Sequence, residues 1–105
     1  MPAIPRSRAA AIFKELHDRR VDFIVVGGVA AVLLGVPVNT FDLDVVHARE
    51  PDNIVRLLDA LDSLEATYRT HPNLALKPNA SHLSSPGHEL LMTRFGPLVG
   101  TISKR

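Results

Sequence analysis

FIVVGGVAAVLLGVPVNTFDLDVV, residues 23–46, is the stretch that decides the fold. Its first part, from Asp22 to Val26, is a compact run rich in branched apolar side chains, the composition of a buried strand. Gly27-Gly28 breaks the run. Val29 to Leu34 is too short and too rich in alanine to be a second strand, so it reads as a short buried helix, ended by Gly35 and Pro37. Phe41 to His47 is the next strand. The apolar run from Phe23 to Val36 covers 14 residues and includes three glycines. A membrane span needs about 20, so this run belongs to a core.

Working outward, residues 7–20 form a helix. Ala9, Ile12, Phe13 and Leu16 fall on one stripe, Ser7 is placed to cap the start, and Arg19 and Arg20 suit the negative end of the helix dipole. Downstream, Glu50, Pro51 and Asp52 open a second helix, with Pro51 at its first position. Ile54, Leu57, Leu58, Leu61 and Leu64 carry its apolar face to about Ala66. Residues 70–87 hold Pro72, Pro78 and Pro86, two asparagines and three serines, and read as one long structureless loop. Glu89–Arg94 and Leu98–Ile102 are two strands joined at Gly96-Pro97, a hairpin. Strands and helices alternate first, and strands then follow one another. The expected class is α/β with an α+β-like character: one domain over 1–105, a small mixed β-sheet, and helices mainly on one face.

Composition narrows the chemistry. With 105 residues there is room for one modest core. A net charge of +1 provides no general field for nucleic acid or anionic lipid. The absence of cysteine excludes disulfides, thiolate zinc sites and a cysteine nucleophile. It fits a reducing compartment, and with no apparent signal peptide the expected location is cytoplasmic.

Asp42 and Asp44 are the most informative residues. Positions two apart on a strand project to one face, so Phe41, Leu43 and Val45 would meet the core while both carboxylates face the other way. Aspartate is a poor strand former, and two carboxylates this close repel each other. A divalent cation removes the repulsion, and Mg²⁺ is commonly held by one or two carboxylates together with substrate phosphates. An ordinary acidic strand face, solvated and without a ligand, fits the same pattern.

Gly27-Gly28 lies where a strand passes into a helix. Without β-carbons the backbone can approach a ligand closely, and a helix start favours phosphate. The pair is neither a dinucleotide fingerprint nor a Walker loop, and a tight strand-to-helix turn explains it as well. The combination says more than either part. Thirteen residues separate Gly28 from Asp42, and both leave the same buried sheet, which brings phosphate donors and metal ligands to one edge. Phosphoryl and nucleotidyl transfer need both.

A glycine pair followed by an Asp-Leu-Asp strand resembles the signature of the DNA polymerase β-like nucleotidyltransferase superfamily. The spacing of Gly35, Pro37, Thr40, Asp42, Leu43 and Asp44, the helix that follows and the hairpin HELLMTRFGPLVGTI look most like its small bacterial members, the minimal and antitoxin-type nucleotidyltransferases. The resemblance covers most of residues 8–103. It implies the nucleotidyltransferase fold, phosphate binding at Gly27 and Gly28 with a hydroxyl from Thr40, and Mg²⁺ held by Asp42 and Asp44 as catalytic ligands. The implied reaction transfers NMP from an NTP to a hydroxyl and releases pyrophosphate. The acceptor would be a protein, an RNA or a small molecule. The implied partners are a second copy of the chain or a toxin-type protein, with no membrane involved.

The chain also departs from that pattern. The family places a third carboxylate on a later strand, where this hairpin reads Leu98-Val99-Gly100-Thr101-Ile102. Glu89 is the only acid after Glu65, and it could substitute only if strand register turned it toward the pair. Val38-Asn39 stand where many relatives carry a basic residue, and the chain stops where relatives continue. These departures imply a truncated or degenerate member, with a non-catalytic, antitoxin-like regulator as the alternative function. A third reading is a domain whose exposed hairpin edge pairs with another chain.

Other residue groups give less. His71, His82 and His88 match no zinc spacing and read as solvated loop histidines. Arg69, Lys77, Arg94, Lys104 and Arg105 read as scattered surface charge. Ser81, Ser84 and Ser85 lack a nucleophile elbow.

Overall fold

The computed structural model describes residues 6–26 and 43–104. Helix α1 (Arg6–Asp18) leads into β1 (Phe23–Val26); β2 (Leu43–His47) is followed by α2 (Pro51–Ser63) and the two-residue strand β3 (Thr67–Tyr68). A 3₁₀ turn (Pro72–Leu74) and a four-residue helix α3 (Ala80–Leu83) precede the hairpin of β4 (His88–Thr93) and β5 (Gly96–Ile102). The strands form one sheet in the order β1-β2-β5-β4-β3. Only β2 and β5 run parallel; the other neighbours are antiparallel. The class is thus α/β with α+β character, built on a mixed sheet.

One face of this sheet carries the core. Register places Leu43, Val45 and His47 of β2 beside Leu98, Gly100 and Ile102 of β5, with Leu91 of β4 next to Leu98. Leu43, Val45, Leu91 and Leu98 are buried with Ala9, Ile12 and Leu16 of α1 and Ile54, Leu57, Ala60 and Leu61 of α2. The helical stripes and the strand alternation therefore meet on a single side, and each fully buried leucine there contributes about 1.5–3 kcal/mol. Phe13, at the margin of the stripe, turns its ring edge toward Phe23 at 5.4 Å.

Both long helices end alike. At α1, Val21 N–H donates to Leu16 O at 3.0 Å and Arg20 N–H to His17 O at 2.9 Å. At α2, Ala66 N–H donates to Leu61 O and Glu65 N–H to Asp62 O, each at 3.0 Å. These are Schellman closures, and they stop the helices at Asp18 and Ser63, short of the expected Arg20 and Ala66. The left-handed position falls to Arg20 (φ 61°) and Glu65 (φ 57°), not to glycine. Pro51 does open α2, whose preceding residue Glu50 accepts from Ile54 N–H at 3.0 Å. Ser7, expected as a cap, lies inside α1, because the helix already begins at Arg6.

Residues 70–87 are not structureless. The prolines forbid long elements but permit short ones: Pro72 starts the 3₁₀ turn, and the side chain of Asn79 caps α3 by accepting from His82 N–H at 2.9 Å. Leu83 then enters the core. The hairpin turn lies at Arg94-Phe95, and Gly96 and Pro97 already belong to β5. The hairpin edge expected to be exposed is covered in part. Its β5 side is paired along β2, and β3 covers Leu91 and Met92 of its β4 side.

Candidate functional site

Of the residues singled out for phosphate and metal, Gly27, Gly28, Thr40 and Asp42 lie outside the described residues, as does the short helix expected at Val29–Leu34. Asp44 is described. It sits in β2 between buried Leu43 and buried Val45 and projects to the opposite face, half-buried. This is the alternation expected of the strand. Its neighbours across the sheet are Val26 of β1 and Val99 of β5. Val26 and Leu43 bound the described parts of β1 and β2 at the Asp44 end of the sheet.

The face around Asp44, which carries no helix among the described residues, is apolar. Ile24 is 63% exposed there, and Val46, Leu90 and Met92 share the face by register. Val99, directly opposite Asp44, is only 8% exposed. Parallel register thus sets a valine where the resemblance expects a carboxylate.

Glu89 does not replace it. Its register partner is Gly100, one residue beyond Val99, so its side chain belongs to the helix-covered face. There it borders Tyr68 and His47. The Tyr68 phenol feels burial first and the Glu89 charge second, and both hold its pKa well above the usual tyrosine value, although it makes no hydrogen bond of ordinary geometry. Among the described residues, no group of three or more histidines, cysteines or acids is placed to hold a metal ion.

His47, which sequence reading passed over, is the most buried ionisable group on that face, at 1% exposure. Its Nε2 lies 2.8 Å from Leu83 O, which requires Nε2 to carry the proton, while Nδ1 is buried without a partner. Gly100 leaves room beneath the ring: a β-carbon there would come within 4.0 Å of Nδ1. Burial lowers the His47 pKa, opposed by the Leu83 carbonyl and the Glu89 charge. Histidine at the end of an apolar strand, in phase with Leu43 and Val45, was the available signal.

Asn53 secures the strands that present Asp44. Its Oδ1 accepts from Asp22 N–H at 2.6 Å, and its Nδ2 donates to Asp22 O at 3.0 Å and Ala48 O at 2.8 Å. One buried side chain of α2 thus ties the entry of β1 to the exit of β2.

The remaining candidates are dispersed. His82 meets the Tyr68 ring edge at 5.5 Å, and His88 Nδ1 bonds Thr101 Oγ1 at 2.7 Å. Lys77 faces Asp62 at 3.5 Å, and Arg94 lies over Phe95 at 4.8 Å. Arg105 is outside the described residues. Ser85 Oγ donates to Ser81 O at 2.7 Å, an ordinary helix-end bond. No helix among the described residues is long and apolar enough to cross a membrane. Compared with protein-family models, curated proteins and solved structures, the chain matches none.

Proposed function

We propose that the chain is a nucleotidyltransferase-like domain that binds an NTP with Mg²⁺ at the Asp44 end of its sheet. The observation that carries this reading is the placement of Asp44. It projects from the sheet face opposite α1 and α2, two positions after Asp42 in the sequence and paired across the sheet with Val26, the residue before Gly27-Gly28. A phosphate-borne Mg²⁺ needs only one or two protein carboxylates, and Asp44 with Asp42 would provide them. Bound there, the ion would neutralise phosphate charge, and the glycine backbone would contribute donors to the triphosphate.

A specific observation favours the second reading, binding without turnover. Two-metal transfer uses a further carboxylate beside the pair, and that place is taken by Val99, while Glu89 faces the other side. A regulatory, antitoxin-like protein of this kind would keep the nucleotide site and lose NMP transfer to a hydroxyl.

Melting temperature with and without Mg²⁺ and each NTP tests the site, because a ligand of the native state raises it by mass action. A rise lost in Asp44→Asn and Asp42→Asn supports the assignment; no rise, or an equal rise in both variants, sinks it. Pyrophosphate release from labelled NTP in the presence of cell extract then divides transfer from binding alone.

A further inference from the structure

A second pocket lies at the other end of the same strands. It opens where β2 has passed into Arg49 and β5 into Lys104, with the turn after α3 as its third wall. Arg49 lies five positions beyond Asp44, two past the end of β2 at His47 and up to about 16 Å away at the rise of a strand, so the pocket is centred away from Asp44. Its volume is about 230 Å³. Drug-sized ligands occupy pockets of roughly 300–1,000 Å³, so the occupant is smaller.

The lining has one sign of charge and two kinds of surface. Arg49 and Lys104 both line the pocket, and no acidic residue does so among the described residues. Neither cation has a carboxylate partner among the described residues; Arg49 Nη1 reaches only Lys104 O, at a long 3.5 Å. The hydroxyl-bearing residues Ser84 and Thr101 also line it, the Thr101 Oγ1 already bonded to His88 Nδ1 at 2.7 Å. Pro86 and Ile102 form apolar walls. Gly87 completes the turn with φ 109°, a conformation that side-chain-bearing residues rarely adopt. Ser103 N–H donates to His47 O at 2.8 Å, which fixes the floor to the central strand. A partly apolar slot lined by two exposed cations selects a ligand with the complementary division.

We infer that this pocket binds a small organic anion, its carboxylate or phosphate head between Arg49 and Lys104 and its apolar body, about the size of one ring, between Pro86 and Ile102. The proposal does not rest on the reading of Asp44. Its test is titration of the ¹⁵N-labelled chain with benzoate, phenyl phosphate and neutral benzyl alcohol, followed by amide shifts. Saturable shifts confined to Ser84–Gly87 and Thr101–Lys104 are expected with at least one anion, and the tighter of the two identifies the head group. Arg49→Gln with Lys104→Gln, both exposed positions, should weaken that binding at least tenfold, roughly the 1.4 kcal/mol that a factor of ten represents, with the rest of the spectrum unchanged. The proposal is overturned by any of four results: no saturable shifts, shifts centred on Ile24, Asp44 and Val99, equal binding of benzyl alcohol, or undiminished binding by the double variant.

Discussion

Asn53 serves three backbone groups at once, and none of its bonds can be remade by a neighbour if the side chain is cut back. Asn53→Ala leaves Asp22 N–H and Ala48 O without these partners in a partly buried place, although Asp22 O keeps Ala48 N–H. The expected loss is about 2–3 kcal/mol, a fall in Tm of about 10–20 °C for a domain of this size, measurable by thermal unfolding. His47 makes stability depend on pH. Its folded pKa lies below the ordinary 6.5, chiefly through burial, so the folded state resists taking up the proton that the unfolded chain accepts. The stability it contributes is complete above the unfolded value and is lost as pH falls below 6.5 through the folded one. Urea midpoints should therefore drop from pH 7 toward pH 5 in the native chain and change less in His47→Gln; parallel curves would refute this origin. Neither residue was evident beforehand. Asn53 looks like an ordinary polar residue in the first turn of a helix, and its value comes from two strand ends brought to it by tertiary structure.

The element scale shows what local pattern can and cannot specify. The stripes of α1 and α2 and the alternation in β2 were legible because one face of each is buried, which enforces the period. The two-residue strand β3 was not, because its membership depends on pairing with Leu91 and Met92, more than twenty positions away. α3 was hidden among prolines, its start set by the Asn79 cap rather than by an apolar repeat. Helix ends were overrun by two or three residues because Schellman closures usually advertise themselves with glycine, and here Arg20 and Glu65 occupy the left-handed position. That choice leaves strain of roughly 1–2 kcal/mol at each site, offset in part by the backbone entropy that glycine would lose. Glu65→Gly should accordingly stabilise the chain by about 0.5–1 kcal/mol. A raised denaturant midpoint with an unchanged slope would show it; an unchanged or lowered midpoint would mean that the closure is not strained.

For the whole molecule, the decisive fact is the parallel pairing of β2 with β5, which joins segments about fifty residues apart and sets Val99 beside Asp44. No local feature of either strand specifies that register, so the missing carboxylate could be suspected from resemblance but not located. Its location makes a substitution possible. Val99→Asp would place a further acid directly beside Asp44, in a position now only 8% exposed. Without metal the new carboxylate is poorly solvated and adjacent to a like charge, so the variant should unfold more easily by about 2–4 kcal/mol. If this face is shaped for a divalent ion, millimolar Mg²⁺ or Mn²⁺ should recover much of that loss, because the ion binds only the folded pairing of the strands. Val99→Asn, similar in volume but uncharged, should be destabilised without recovering, and Asp44→Asn in the Val99→Asp background should abolish the metal response. Thermal unfolding across a metal titration reads all three. Recovery in the asparagine variant would reveal a non-specific salt effect. No recovery in Val99→Asp would mean that this face of the sheet does not present Asp44 to a metal, which would remove the main support for the nucleotidyltransferase-like reading.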